Sequence, residues 1–149
     1  MKPLPFYFLN LTWGLPVNIA GGIAALGAMA TGHKPQKYGN CVLFEMGKKP
    51  VGHSMGLFLF VGSDANDTLK AHEHGHSIQN CRFGPLMPFI IDLPSSSRFW
   101  YRQAVEKLAP GKKLSPYDSV WFEGRATELG KEHMKQFRSR KAEKQAEKI

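Results

Sequence analysis

Between Pro3 and Gly32 the chain has no Asp, Glu, Lys, Arg or His. It has only two cysteines, Cys41 and Cys81, too few for a disulfide framework, and Cys81 stands at no zinc-ribbon spacing. Both read as small buried residues. No aromatic residue is interleaved with the basic residues after Phe137, which excludes a base-stacking nucleic-acid surface there. No internal repeat is present.

What the first thirty residues lack, the rest supplies. The chain carries a formal charge of +8, and 19 of its 20 Lys and Arg residues follow Gly32. Lys131 to Ile149 holds seven Lys/Arg against three Glu, which reads as a basic, solvated helical tail. Anionic phospholipid headgroups, not nucleic acid, are the preferred partner of the excess charge. At 149 residues the length fits one folded domain with a real core.

Leu4 to Thr31 is long enough to cross a bilayer as one helix, with Lys2 before it and His33, Lys34 and Lys37 after it. Its prolines, asparagines and glycines weigh against a span, although membrane helices tolerate such residues. Small-xxx-small spacing, as in Gly21 and Ala25, would let it pack on another helix. Two rivals are a leader cleaved after Ala28-Met29-Ala30 and a buried core helix. The expectation is a single-pass membrane anchor over residues 1–35, followed by a catalytic part over 36–149. The lysines after the span place that part in the cytoplasm.

Downstream the pattern is α+β and mainly helical. Cys41 to Met46 and Met55 to Val61 read as an antiparallel hairpin around Gly47-Lys48-Lys49-Pro50. Ser63 and Asp64 can cap a helix with Asp67 in its first turn, running to Arg82 and ending at Gly84-Pro85. Pro85 to Pro94 reads as a buried connection or a segment at the bilayer surface. Ser95 to Ser97 can cap a short helix through Leu108 that Pro110-Gly111 ends, and Ser115-Pro116 opens the last helix.

The chemistry sits in His72-Glu73-His74-Gly75-His76, an H-E-x-x-H match on the first of these helices. Residues i and i+4 share a helical face, so His72 and His76 can reach one ion. Glu73, at the edge of that face, can act as general base on a metal-bound water. A random match is expected about 0.01 times in a chain of this composition. His74 points elsewhere and reads as a surface or substrate-side histidine.

A catalytic zinc site takes a third protein ligand. Arg82 stands six residues after His76, so the extended metzincin motif is absent. Asp92, Glu106, Asp118, Glu123, Glu128, Glu132 and His133 are the downstream candidates. Glu123 is the choice, because Ala126 and Gly130 share its face and let its helix approach the first. Asp118 reads as a first-turn acid near the dipole. Glu128 and Glu132 read as the solvated face, with Glu128 near Arg125 and Lys131.

H-E-x-x-H followed by Glu123-x-x-Ala126 resembles the gluzincin pattern of thermolysin-like peptidases. The chain also resembles a group of small bacterial membrane proteins. They share an apolar first segment ending at Thr31-Gly32-His33-Lys34-Pro35, then His-Glu-x-Gly-His, Gln79 and Phe83-Gly84-Pro85-Leu86. Trp121-x-Glu123-x-x-Ala126-x-x-Leu129-Gly130 closes the pattern. The resemblance implies a zincin-like domain in a bacterial membrane, with Zn2+ on His72, His76 and Glu123 and with Glu73 as base. Gluzincins often place an Asp four residues after the ligand Glu; this chain has Thr127 there, so histidine orientation must come from Thr127, a backbone carbonyl or elsewhere. Tyr101, Tyr117, Arg125 and His133 are the candidate oxyanion stabilisers.

The leading expectation is thus a membrane-anchored zinc metallopeptidase acting on a protein or peptide. An intramembrane protease fits less well, since Lys70, Gln79, Asn80 and Arg82 surround the motif. The alternative is a non-catalytic, zinc-stabilised membrane interaction protein, whose closed site would take His133 or Asp92 as fourth ligand.

Overall fold

The computed structural model describes residues 1–48 and 51–146. Lys49 and Pro50 of the expected hairpin loop, and the last three residues of the basic tail, lie outside the described residues. The described residues form five α-helices and a four-stranded mixed sheet, with short 3₁₀ and π turns in the connections. The α+β, mainly helical expectation holds.

The apolar N-terminal segment is not one helix. It is two, α1 (Pro3–Leu11) and α2 (Leu15–Ala30), bent by 89°. Pro16 lies in the first turn of α2, where a missing N–H costs nothing. The elbow is held from inside. Asn80 donates to the Asn10 side chain and to the Gly14 carbonyl, and Asn18 donates to the Asn10 and Gly14 carbonyls while accepting from the Leu57 N–H. Among the described residues no single helix is long and apolar enough to cross a membrane.

Strands β1 (Gln36–Tyr38), β2 (Cys41–Glu45), β3 (Gly52–Met55) and β4 (Phe58–Val61) lie in the order β1-β2-β4-β3. The two apolar runs are neighbours, as expected, but β2 and β4 run parallel, with Leu43 opposite Leu59. The expected antiparallel pairing fails because Gly52–Met55 is itself a strand. It folds back on β4 through a tight turn at Gly56, which has φ of 65°, and that hairpin inserts β4 beside β2.

Alternation along the strands then sorts the core into two layers. Cys41, Leu43, Leu59 and Val61 face α1 and helix α3 (Asp67–Phe83), meeting Phe6, Ile78 and Cys81. Phe44, Val42, Phe58 and Phe60 face the opposite way, onto Ala25 and Ala28 of α2. Both cysteines are buried and unpaired.

Helix α3 begins at Asp67, with Asn66, not Ser63 or Asp64, as its cap; Asn66 accepts from the Leu69 N–H. After Gly84–Leu86 the proline-rich stretch is helical after all: a π turn over Pro88–Asp92 leads into α4 (Leu93–Leu108). Pro88 and Pro94 fall at first-turn positions of these two segments, where proline is tolerated. Ser95 to Ser97 are therefore inside α4 and do not cap it. The last helix, α5 (Trp121–Ala146), begins after a 3₁₀ turn at Tyr117–Ser119, five residues later than Pro116.

Helices α3 and α5 approach to backbone contact. A Cβ at Gly75 would collide with the Ala126 backbone, and a Cβ at Gly130 with the Ala71 carbonyl oxygen. Ala in place of Gly ordinarily stabilises a helix by about 1 kcal/mol. Gly130→Ala should instead destabilise the protein by about 2 kcal/mol or more, read from urea unfolding. A gain in stability would refute the backbone contact.

Candidate metal centre

Every residue of α3 from Ala71 to Cys81 is buried, although His, Glu, Gln, Asn and Ser dominate the run. So much polar surface is not buried for packing; each group needs a partner. His72 and His76 present their Nε2 atoms 3.1 Å apart, and Glu123 of α5 sets its Oε2 3.1 Å from the first and 3.3 Å from the second. Glu123 is fully buried, and its oxygens find no hydrogen-bond partner besides these rings. This is the group of His, Cys, Asp or Glu side chains, among the described residues, that could hold a metal ion.

The outer nitrogens fix the tautomers. Gln79 donates its amide to the Phe122 carbonyl, so its Oε1 faces His76 Nδ1 at 2.7 Å and must accept. Thr127 donates its hydroxyl to the Asp118 carboxylate, leaving Oγ1 to accept from His72 Nδ1 at 2.8 Å. Both histidines therefore carry a proton on Nδ1 and aim Nε2 at the common point. Two nitrogen lone pairs and a carboxylate oxygen at such spacing repel unless a positive charge lies among them. A proton on one ring or a bound metal ion supplies it.

The ionisation energetics agree. Burial alone would lower the His76 pKa, but Glu123, Glu73 and Gln79 together hold it above the ordinary value. Burial alone would raise Glu123, and the two rings and Ser95 outweigh it, holding the carboxyl well below the usual range. Glu73 is raised, chiefly by burial; His76 and His72 oppose the shift and Glu123 and Asp92 add to it. Its carboxyl is backed by Gly52 of β3, where any Cβ would collide with it.

The site opens into a cleft of about 330 Å³ between β3, α3, α4 and the Tyr117 turn, lined among others by His72, Glu73 and His76. Ser54 of β3 bonds Ser77 of α3 at 3.1 Å, which keeps the strand at the cleft wall. On the other side, Arg98 and Arg102 of α4 each lie 5.9 Å from the Tyr117 ring centroid. Both also bond the loop around Ser115 and Pro116, fixing that turn. Tyr117 hydroxyl meets Ser95 at 3.0 Å, and its ring stands edge-on to His72. Burial raises its pKa; Ser95 opposes the shift and the Glu123 and Glu73 carboxylates add to it.

The other expected residues are scattered. Asp92 lines the cleft, its carboxyl raised by burial to about 6, but it does not join the three converging groups. His74 is not at the surface: it is fully buried and stacks on His133, ring centroids 4.7 Å apart. His133 bonds the Met1 carbonyl there, away from the cleft, which removes it as fourth ligand or oxyanion stabiliser. Arg125 is exposed and paired with Glu128, and Tyr101 is exposed outside the cleft lining. Glu106 and Glu132 are exposed.

Sequence reasoning missed three contributors. Asp118 supports His72 through Thr127, a link across a turn with no local signature. His53 of β3 lines the cleft, its pKa lowered by burial and by His76. Gln79 holds His76 from three residues on, a helical spacing that could have revealed it.

No family model, curated protein or solved structure matches the chain.

Removing the outer support should loosen the site without removing a ligand. Thr127→Val should weaken divalent-metal binding about 10–100-fold in a competition titration, and Asp118→Asn should weaken it less. Unchanged affinity in Thr127→Val would refute the orienting role.

Proposed function

We propose that the chain is a zinc metallopeptidase of gluzincin-like design, with Glu73 as general base. One observation carries the reading: two Nε2 lone pairs and a Glu123 oxygen converge, with both outer nitrogens held as donors. Zinc fits this donor set. Zinc–nitrogen bonds of about 2.0–2.1 Å in a tetrahedron put ligand atoms roughly 3.3 Å apart, close to the 3.1–3.3 Å found here. When bound, zinc polarises a carbonyl and acidifies water.

The residues of the chain do the rest. His72, His76 and Glu123 hold the ion and leave the cleft side open, since no fourth such side chain joins them among the described residues. That open side favours catalysis over the closed, purely structural alternative. Glu73, already poised upward in pKa, takes a proton from water and passes it to the leaving amine. Tyr117, which lines the cleft with its ring edge-on to His72, is the candidate donor to a developing oxyanion. Thr127 with Asp118 replaces the Asp that gluzincins place four residues after the ligand Glu.

A peptide substrate is favoured by β3. It pairs only with β4, so its other edge is unpaired among the described residues, and Gly52 to Ser54 line the cleft. An extended peptide can add to that edge by main-chain hydrogen bonds.

Metal content, measured by mass spectrometry after zinc loading, should be one zinc per chain. Loss in both His76→Ala and Glu123→Ala is expected, and no zinc in the native protein would end the proposal. Glu73→Gln should keep the zinc while cleavage of a quenched peptide library falls about 10²–10⁴-fold; retained cleavage would remove Glu73 as the base.

Zinc and a proton compete for His76. Because its folded pKa is raised, affinity should begin to fall on acidification above the ordinary histidine range, by about tenfold per pH unit below it. Glu73→Gln removes one cause of the shift and should move that decline to lower pH.

A further inference from the structure

The elbow of α1 and α2 is apolar on both sides, and only one side is used. The inner stripe is buried, Phe6 against the sheet and α3, Val17 against Met87, Ile91 and Phe122, and Ala25 and Ala28 against the sheet. The outer stripe is Leu4, Phe8 and Leu11 on α1 and Ile19, Ile23 and Leu26 on α2, between 52% and 81% exposed. These residues recur at spacings of three and four, so each helix presents a continuous apolar face outward. A helix face meeting water is normally polar; this one has no charged residue between Pro3 and Gly32. Contiguous apolar surface of this kind marks an interaction site.

Charge says what covers it. The chain has no carboxylate before Glu45. Pro3, at the start of α1, shares a surface depression with Lys37, Arg140 and Lys141, so the basic end of α5 lies beside the start of α1, next to Leu4 in the chain. Lys34, also exposed, follows the other end of the elbow. An apolar face with a cationic rim is complementary to an anionic phospholipid bilayer. A second copy of the chain would bring like-charged rims together.

The geometry decides how the bilayer is met. Helix α2 has 16 residues, about 24 Å at 1.5 Å per residue, short of the roughly 30 Å hydrocarbon core. Straightening the elbow into one span would break the Asn10–Asn18–Asn80 network. It would also lift α2 off the sheet, where Gly21 lies against the Met55 backbone.

We propose that the α1–α2 elbow lies in the plane of an anionic phospholipid bilayer, its outer stripe inserted and Lys37, Arg140 and Lys141 on the headgroups, without crossing. This stands apart from the hydrolase reading, and its test does not use activity. The native cysteines are buried, so a nitroxide can be placed on the full-length protein at Ile19→Cys, near the middle of the would-be span. The label should sit shallow, about 5–10 Å below the headgroup boundary. Co-flotation should favour vesicles of phosphatidylcholine with phosphatidylglycerol over phosphatidylcholine alone, and Arg140→Glu with Lys141→Glu should erase that preference. Ile19→Ser with Ile23→Ser should weaken binding by roughly tenfold or more. A label at the bilayer centre would overturn the in-plane arrangement in favour of a span. Failure to bind either vesicle, with the label buried in a dimer or against another protein, would overturn the lipid as occupant.

Discussion

The backbone contact between α3 and α5 is the constraint on which the rest depends. Side chains of ordinary size at Gly75 and Gly130 would hold the two helices apart. Glu123 could then not bring its carboxylate to within 3.3 Å of both imidazoles. A buried carboxylate is costly without positive charge beside it. The close approach therefore does two things at once: it packs the helices and it creates a demand for positive charge beside the Glu123 carboxylate, which a protonated imidazole or a bound metal ion can meet.

The supporting hydrogen bonds turn that demand into a directed site. Gln79 is anchored by the Phe122 carbonyl, and Thr127 by Asp118, so neither imidazole is free to turn. The anchors come from α3, from α5 and from the turn before it, and Arg98 and Arg102 of α4 hold that turn in place. The orientation of the converging side chains is thus fixed from two parts of the chain, α3 on one side and α5 with its preceding turn on the other. The cleft in front is equally composite, with one wall an edge strand and the other a tyrosine held by α4.

The same economy shows at the N-terminus. Three asparagines, Asn10, Asn18 and Asn80, bond one another and the Asn10 and Gly14 carbonyls at the break between α1 and α2. A buried polar network of this kind holds a sharp bend where apolar packing alone would allow several. The bend commits the inner stripe to the core and leaves the outer stripe exposed. The edge of β3 faces the cleft because the β3–β4 hairpin places β4, not β3, next to β2.

Local chemistry was legible in the sequence. The i, i+4 spacing put His72 and His76 on one face, Glu123 stood out through Ala126 and Gly130, and the breaks at Gly84-Pro85 and Pro110-Gly111 located the ends of α3 and α4, although the expected serine and aspartate caps did not hold. These are properties of neighbours along the chain, which short-range sterics and helical periodicity determine. What the sequence could not carry were relations between distant segments. The parallel pairing of β2 with β4 hung on a strand, Gly52–Met55, too poor in β-formers to notice. The kink of the apolar segment depended on asparagines bonding across 70 residues. The burial of His74 on His133 and the link from Asp118 through Thr127 to His72 likewise arise only when helices dock. Hydrophobic pattern alone marked residues 3–32 as apolar. Only tertiary packing decided which side of that segment meets the protein and which side is left facing outward, because burial is a property of the partner surface.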